Sequence, residues 1–586
     1  MGRKRQKLRS DADDRASVYA GYQRRGKNYC GTDRSRSDFQ KSADQTGKQY
    51  FQEDHKSEQR HLMGKEEAMA EKRAYRGSMT VFFSVLTVLF LALISAMAES
   101  VRVQGARAKA ASVLDLGIFS VFGEYERDLL EEYEVFGVDA SYGGEDFQKE
   151  KLSERLDFFM KYNIEPTRGT MLTGNTLFPV RTEGSSILRI LLLTDEDGWV
   201  FRDQIVQNLK SAAGTELAAE FLEARKKSQE MEKNQKDYEK QEQEAEKALI
   251  EAEAAQREEE KAAGGNSGAD DGSVVPMDPD GSALPAVQEK PDNPLDLIKK
   301  VKKMGILGLV LEDPSSVSMK ELVKKELAGE RKREKGDLSW ERESSGLIGD
   351  GIFQEYLFSH FSSAMDTEEK ETALSYELEY LLCGKESDEK NLKATVNKLL
   401  LLREGVNFVY ILADGEMRHS AELLAAAIAG GAPGVTTALT AALLAAWAYG
   451  ESLLDVRILL AGGKVPAVKT KESFQLTLEN LGKLPEVLAS CKEKAGEGLD
   501  YEAYLQMLFL TGKKKSYPMR ALNLIECNLR KKEGMGHFQI DHCIAGLEAE
   551  AEWELSPVFA ALPEAFLKTG LGAVNYHTRG KFIYEI

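Results

Sequence analysis

Residues 78–98, SMTVFFSVLTVLFLALISAMA, form an uncharged stretch of 21 residues that decides the organisation of the chain. As a helix rising 1.5 Å per residue, this stretch is about 30 Å long, which matches the hydrocarbon core of a bilayer. It begins too far from the N-terminus to be an ordinary secretory signal, which occupies roughly the first 15–30 residues. The sequence therefore predicts one transmembrane helix over 78–98, with the lipid bilayer as its partner.

The charges on the two sides of this stretch differ in balance. Residues 1–77 carry 19 Lys and Arg against 12 Asp and Glu, whereas the whole chain has a formal net charge of -18. Because positively charged flanks stay in the cytoplasm, we expect a cytoplasmic N-terminus and an extracytoplasmic C-terminal body in the cell membrane. Residues 1–77 are too polar to bury a core, so we expect a disordered basic tail that lies on anionic lipid and does not bind nucleic acid.

After the anchor, the chain changes composition several times. Helical periodicity without proline continues past Ala98, and short apolar runs at 135–138 and 185–193 predict strands. Residues 214–263 are rich in Glu–Lys pairs at helical spacing but poor in apolar residues, which predicts a single exposed helix. Residues 264–294 are dominated by Gly, Pro, Ser and Asp and predict a disordered linker.

The C-terminal half combines helical periods with a final change to alternation. An uncharged, alanine-rich segment at 435–450 is too short to span a bilayer, so a buried core helix is expected there. Alternation from His537 onward and the terminal residues 581–586 predict a small C-terminal sheet. Other helices are expected over 320–332, 350–362, 369–383, 389–403, 417–430 and 498–510.

The predicted fold class is therefore α+β and mostly α. One N-terminal transmembrane helix continues into a membrane-proximal α/β domain, and a helical domain with a small C-terminal sheet follows. The expected divisions are a basic cytoplasmic tail at 1–77, the transmembrane helix at 78–98, the membrane-proximal domain at 99–213, a charged helical spacer at 214–263, the linker at 264–294 and the distal helical domain at 295–586.

Few residues form groups with a chemical meaning. His537, Asp541, His542 and Cys543 are the best metal candidates, but their spacing matches no defined site, and ordinary strand residues are the favoured interpretation. Residues 195–198, DEDG, lack the later acids of a calcium-binding loop and predict a polar turn between a strand and a helix.

The sequence contains no phosphate-binding loop, zinc-protease motif or nucleophile elbow. Its five cysteines are widely spaced and are interpreted as unpaired thiols, with one or two disulfides as the alternative. We therefore expect a non-enzymatic protein with no catalytic residue, cofactor or small-molecule substrate. Glu99, just beyond the anchor, is interpreted as a hydrated interfacial residue, with an assembly contact at the membrane edge as the alternative.

Residues 76–83, RGSMTVFF, and the hydrophobic helix that ends in Ala98-Glu99-Ser100 resemble the N-terminal region of TadE- and TadG-like pseudopilins of tight-adherence (Tad, Flp-type) pili. Longer blocks, among them AWAYGESLLDVRILLAGGKVPAVKTKES and YEAYLQMLFLTGKKK, resemble a family of single-pass Gram-positive proteins of unknown function associated with Tad-like pilus clusters.

The resemblance implies a pilin-like fold for 99–213 and marks the bond between Gly77 and Ser78 as the candidate site of prepilin-type cleavage. Phe82 occupies the position at which pilin-type helices carry a glutamate, and the segment before Gly77 is longer than a typical leader. Both departures favour an uncut protein that is retained in the membrane.

The expected function is that of an accessory, pseudopilin-like component of a Tad-type pilus or secretion assembly, with the proteins of that assembly as partners. The alternative is an envelope sensor or adhesin that binds a ligand through residues 295–586. An envelope hydrolase is the third hypothesis, and it requires His537, Asp541 and Cys543 to meet in a cleft.

Overall fold

A computed structural model describes residues 60–164, 178, 180–210, 215–263, 293–341, 346–367, 371–430, 432–491, 497–556 and 573–584. Residues 1–59 of the expected tail and almost all of the expected linker lie outside these ranges. The helices are α1 (Arg60–Phe122), α2 (Arg127–Tyr133), α3 (Lys149–Ile164), α4 (Asp195–Lys210), α5 (Thr215–Ala263), α6 (Pro294–Lys302), α7 (Ile306–Val310), α8 (Leu347–His360), α9 (Glu377–Cys383), α10 (Asp388–Ala413), α11 (Gly415–Ala429), α12 (Pro433–Leu460), α13 (Leu484–Ser490), α14 (Tyr501–Thr511) and α15 (Tyr517–Leu529).

The described chain is mostly helical and contains one small antiparallel sheet, as the sequence predicts at that level. The residues divide into two compact units. One comprises 1–108, 175–180 and 555–574, and the other comprises 109–174, 181–554 and 575–586.

Helix α1 contains the one segment of the described chain that is long and apolar enough to cross a membrane, at Met79–Phe122. Most large apolar side chains along the first part of this segment are more than half exposed, from Met79 at 55% to Met97 at 63%. The helix is longer at its N-terminal end than expected, because the backbone of residues 60–77 is already helical. It continues past Ala98, as the sequence predicts, and ends at Phe122, where the chain turns at Gly123.

The sheet is built around one long strand near the C-terminus. β3 (Cys543–Leu555) pairs with β2 (Arg181–Leu192) along one edge, and β1 (Val138–Asp139) and β4 (Val574–Ile583) pair with it as well. Alternation in β3 follows the pleat, because Ala549, Ala551 and Trp553 are buried while the glutamates between them are half-buried. The predicted strand thus exists, but it begins at Cys543 and not at His537.

In the larger unit, the last turns of α1 pack on strand β4. The rings of Phe122 and Phe582 lie with centroids 4.5 Å apart, and Phe119 contacts the same ring at 6.3 Å. Leu114 and Ile118 reach Gly580 one turn earlier. The segment 109–122 is therefore an integral part of the fold of this unit.

Strand pairing joins segments that the sequence analysis assigns to different domains. β2 belongs to the expected membrane-proximal domain and β3 to the expected distal domain, yet the two are hydrogen-bonded neighbours from Arg181 opposite Glu554 to Leu192 opposite Ile544. Both strands fall almost entirely in the larger compact unit. Strands pair through backbone atoms, and nothing in the residue types of two strands shows which distant strand each will pair with. The sequence therefore does not indicate that β2 pairs with β3.

Helix α5, which the sequence predicts to be exposed, has a buried face. Met231, Tyr238, Ala245 and Leu249 are buried against the helical core. The first three lie seven residues apart, so only one apolar side chain per two turns faces inward, which explains the sparse apolar pattern. Gly405 of α10 allows the closest approach, because a Cβ atom there would lie 2.5 Å from the backbone of α5.

Helix α12 lies in the centre of the larger unit and packs against α10, α11 and α5. Its residues Leu443, Ala448 and Leu453 are completely buried. The prediction that 435–450 is a buried core helix is therefore confirmed. Because alanine side chains are small, the distance between helix axes stays short, and α12 can pack closely against all three helices.

The prediction of a helix over 320–332 is wrong. This segment contains only a single 3₁₀ turn at Lys324–Glu326 and otherwise runs as an irregular chain. Arg331 holds it in place by donating to both carboxylate oxygens of Glu526, at 2.5 and 2.8 Å, and to Asp541. Arg331 thus forms tertiary ion pairs with Glu526 and Asp541 in place of a position on a solvated helix.

Four buried charged side chains join α10, α12 and the segment after α12. Arg403 donates to Asp455 Oδ2 at 3.0 Å, and Lys469 donates to Asp455 Oδ1 at 2.7 Å and to Glu451 at 2.5 Å. Asn407 donates a further hydrogen bond to Asp455 at 3.0 Å. All five side chains are buried, and two cations balance two anions.

Other hydrogen bonds of this cluster hold the neighbouring backbone and Tyr504 in place. Glu451 accepts from the amides of Gln475 and Leu476, and Arg403 donates to the Tyr504 hydroxyl at 2.8 Å. Burial opposes ionisation of Asp455, but Arg403 and Lys469 outweigh that effect and lower the pKa of this carboxyl. Asp455 is therefore charged at neutral pH.

We expect Asp455→Asn to lower the free energy of unfolding by about 3–5 kcal/mol, because it leaves Arg403 and Lys469 as buried charges without a full counter-charge. Chemical unfolding of the full chain in detergent micelles measures this loss. Lys240→Met is the matched control, since Lys240 pairs with Glu244 on an exposed face of α5 and its removal should leave the midpoint unchanged. A loss below about 1 kcal/mol for Asp455→Asn would contradict the assigned role.

Candidate functional site

A cavity of about 700 Å³ opens on the larger unit where four separate parts of the chain meet. They are the turn that opens α4, the irregular segment 324–330, the junction of α9 and α10, and the start of α15. A cavity of this size accommodates a small organic ligand. A second cavity of about 600 Å³ lies in the expected distal domain and is lined by residues between Tyr410 and Glu479.

The junction of α9 and α10 is shaped by its capping residues. Helix α9 ends at Gly384, whose backbone has a φ of 65° and whose amide donates to Tyr380 O at 2.7 Å. The left-handed conformation favours glycine, and the Arg520 guanidinium fills the space that a Cβ atom would need, at 2.5 Å. Ser387 caps the start of α10. The chain between these caps carries Lys385 to the rim of the cavity.

The floor of the cavity is a fixed polar surface. Asn523 accepts from the amide of Gly329 at 2.9 Å and donates to the Tyr380 hydroxyl at 3.0 Å. Burial raises the pKa of Tyr380 to about 12, so its hydroxyl is neutral. Leu327 and Met519 add a small apolar wall. The floor is thus arranged before any ligand enters.

The rim of the cavity is predominantly basic. Lys324, Lys385 and Lys515 line it with exposed side chains, and none of the three forms an ion pair within the described part of the chain. Arg520 donates one hydrogen bond to Leu381 O at 2.8 Å.

Two of the three acids at the rim are already engaged. Glu386 pairs with Lys390 at 3.2 Å, and Asp197 pairs with Arg333 at 2.9 Å. Glu330 is the third acid. The cavity therefore presents excess positive charge on a protein whose net charge is -18.

The predicted polar turn at 195–198 is confirmed, and it contributes Asp197 to the lining of this cavity. Glu196, Asp197 and Gly198 are successive left-handed residues, with φ of 49°, 60° and 84°. Asp195 holds the turn by accepting from the amides of Leu192 at 2.7 Å and Gly336 at 2.9 Å. No calcium-binding geometry is needed to account for these residues.

The structure does not bring the metal candidates together. His537 is exposed and faces Glu145 at 3.7 Å, Asp541 is bound to Arg331, and Cys543 is buried at the start of β3. His542 is buried with its ring against Phe147. Among the described residues, no group of three or more His, Cys, Asp and Glu side chains could hold a metal ion.

The candidate residues near the predicted transmembrane segment lie along α1. Gly77 and Ser78 are in the helix, and their cleavage stays a prediction. Glu99 accepts from Arg102 at 2.6 Å, and the Arg102 side chain also donates to Ser556 O at 2.5 Å. Glu99 is thus 13% exposed and paired within its own chain, and its role as an assembly contact also stays a prediction.

Four cysteines, Cys383, Cys491, Cys527 and Cys543, are free in the described part of the chain, as the favoured interpretation holds. Burial raises the pKa of the Cys527 thiol to about 11 and raises that of Cys543 well above its ordinary value. Neither thiol is therefore a reactive thiolate at neutral pH.

Two buried carboxyl groups titrate far from their ordinary range. Burial raises the pKa of Glu379 to about 7, and burial together with Glu242 raises that of Glu404 to about 8. Glu379 accepts from the Tyr501 hydroxyl at 2.7 Å. Neither residue lines the cavity described above, so both are interpreted as parts of the core.

One comparison with known proteins covers every residue that lines the cavity except Asp197. Residues 285–555 match the model of a family of unknown function, DUF5702. The match includes α6 to α15, β3 and the buried cluster around Asp455, but neither α1 nor β2. No curated protein and no solved structure matches the chain. The family description assigns no activity.

The sequence does not indicate the basic cavity, because the lysines that line it come from segments that are far apart in the chain. Lys324 and Lys385 lie in charged stretches that resemble ordinary solvated surfaces. The one local signal was the run GKKK at 512–515, and only Lys515 of that run lines the cavity, while Lys514 pairs with Asp350 at 2.8 Å.

We expect Glu404→Gln to stabilise the protein more at pH 9 than at pH 5. Glu404 ionises near 4.5 when unfolded and near 8 when folded, so its contribution to stability is complete below pH 4.5 and is lost as the pH rises through 8. Glutamine removes the cost of ionisation in the core. Thermal unfolding across this pH range measures the difference.

Glu416→Gln is the control for this experiment, because the Glu416 side chain is 86% exposed. Its effect on the unfolding temperature should not vary between pH 5 and pH 9. A difference between Glu404→Gln and the unsubstituted protein that stays constant over this range would contradict the assignment.

Proposed function

We propose that the chain is a membrane-anchored, non-enzymatic protein whose folded body lies outside the cytoplasm and works by association with other envelope proteins. In its most specific form, the proposal is an accessory, pseudopilin-like component of a Tad-type pilus or secretion assembly. The observation that carries it is the uncovered apolar surface of α1 between Met79 and Met97.

The exposed side chains of this segment support a lipid environment. Phe82, Leu89 and Ile94 are each about 60% exposed, and no residue in the most apolar window is buried. Burying one such side chain is worth about 1.5–3 kcal/mol, so leaving the whole segment in water would be very costly. A helix satisfies its own backbone hydrogen bonds and can cross a bilayer without a partner.

The orientation rests on charge. The 19 basic residues before position 78 favour a cytoplasmic N-terminus, and the acidic remainder of the chain is then extracytoplasmic.

The pilus-related form of the proposal rests on the sequence resemblance and on how α1 continues into the body. The helix is uninterrupted from Arg60 to Phe122, and residues 109–122 pack on the antiparallel sheet of the larger unit. A hydrophobic helix whose C-terminal turns belong to a folded domain is the arrangement that the pilin-like resemblance implies.

The basic cavity favours a second candidate function, an envelope sensor or adhesin that binds a ligand through the body. Its open rim and fixed polar floor are features of a binding site, and they have no part in holding α1 in a membrane.

We expect the double substitution Leu89→Arg and Leu91→Arg to release the protein from the membrane fraction. Arginine near the centre of a membrane helix costs about 2.5–3.5 kcal/mol on the insertion scale, and two arginines remove most of the driving force. Ultracentrifugation of cell lysates, followed by immunoblotting of pellet and supernatant, measures the distribution.

Leu423→Arg is the matched control for the anchor. Leu423 is 59% exposed on the folded body, against 61% for Leu89 and 58% for Leu91, so the three leucines differ in location and not in exposure. The control should stay in the pellet. Recovery of the unsubstituted chain in the supernatant would contradict the proposal, as would protection of the body from protease added to intact cells.

For the pilus-related form, we expect deletion of the gene to reduce surface piliation and adherence of the bacterium that produces the protein. Electron microscopy of surface filaments and an adherence assay measure the effect. The unsubstituted gene should restore both properties, and the Leu89→Arg, Leu91→Arg variant should not. Normal filaments and adherence in the deletion strain would overturn this form of the proposal.

A further inference from the structure

Three lysines from separate segments line the cavity and form no ion pair within the described part of the chain, although Glu330 lies at the same rim. Lys324 comes from the irregular segment, Lys385 from the α9–α10 junction and Lys515 from the loop before α15. Like charges that approach one another destabilise a fold unless solvent or a counter-charge screens them. Their convergence on a protein of net charge -18 therefore indicates a negatively charged ligand.

Other lysines close to the cavity do form ion pairs, so the absence of ion pairs is specific to the three lysines at the rim. Lys514 adjoins Lys515 in sequence but is paired with Asp350 at 2.8 Å, and Lys390 is paired with Glu386 at 3.2 Å. The fold thus neutralises Lys514 beside the site and Lys390 within its lining, and it leaves three lysines at the rim without an ion pair in the described chain.

Arg520 adds a directional group to the three lysines. Its Nη1 donates to Leu381 O at 2.8 Å, which fixes the plane of the guanidinium against Gly384. The remaining N–H groups of a fixed guanidinium can donate to two oxygens of one tetrahedral anion. Lysine ammonium groups complement this as mobile point charges, a combination typical of phosphate recognition.

The floor indicates what is attached to the anion. Asn523 and the Tyr380 hydroxyl bind polar groups, while Leu327 and Met519 offer a limited apolar surface. A volume of about 700 Å³ is much larger than one inorganic phosphate needs. The site therefore suits a phosphate bound to a small polar organic group.

We propose that this cavity binds a phosphate ester, with Lys324, Lys385, Lys515 and Arg520 holding the phosphate. The ester can belong to a soluble polyol or sugar phosphate or to the headgroup of a phospholipid, because the recognised chemistry is the same. This inference deepens the second candidate function, ligand binding by the body, and does not depend on the membrane anchor.

The test uses the full chain in uncharged detergent micelles and glycerol 3-phosphate as the probe, with binding measured by isothermal titration calorimetry. We expect binding that weakens with added salt, and the double variant Lys385→Gln, Lys515→Gln should lose at least about tenfold in affinity. The variant Lys335→Gln, Lys513→Gln removes the same charge from exposed lysines that do not line the cavity, and it should bind as the unsubstituted protein does.

Competition distinguishes the two sources of the ester. Displacement of glycerol 3-phosphate by phosphatidylglycerol vesicles, but not by phosphatidylcholine vesicles, assigns a lipid headgroup, and failure of both vesicles to displace it assigns a soluble ester. Three results would overturn the proposal: no binding of glycerol 3-phosphate at millimolar concentration, equal affinity in the two double variants, or equal affinity for succinate. None of them changes the membrane fractionation, so failure of this site and failure of the anchor are separable.

Discussion

The fold of the larger unit depends on the buried carboxylate of Asp455. It receives Arg403 from α10 and Lys469 from the segment after α12, while Glu451, one turn away, fixes the backbone at Gln475 and Leu476. Buried ions are costly unless each one is paired and hydrogen-bonded. Because all of these groups must be in place together, the cluster specifies one arrangement of α10, α12 and α14 among the many that their apolar surfaces would permit.

Much of the helical architecture could be predicted from the sequence, since apolar period and chain punctuation are local properties. The buried helix α12, the apolar segment of α1 that is long enough to cross a membrane, and the turn at 195–198 follow from composition and spacing. The predictions fail where a distant partner decides the structure. Segment 320–332 has a helical composition, but Arg331 reaches Glu526 and Asp541, and these tertiary ion pairs outweigh a weak local preference.

The candidate site illustrates the same limit. No motif marks it, because its basic residues come from segments that are distant in sequence, and each lysine alone resembles an ordinary solvated side chain. What distinguishes Lys515 from Lys514 is only whether an acid such as Asp350 lies within reach, and that depends on the packing of α8. A site made by convergence is visible only after the fold is known.

The pairing of β2 with β3 has a consequence for biogenesis. Strand β2 ends at Leu192, whereas its hydrogen-bonding neighbour β3 begins at Cys543, so the first strand is made long before the second. At roughly 5–20 residues per second, the ribosome needs about 20–70 s to synthesise the intervening chain. Throughout that interval one edge of β2 lacks the strand that later covers it, and an uncovered edge is prone to pair with other chains. Any product truncated before Cys543 therefore lacks the strand that covers this edge of β2 and remains incompletely folded.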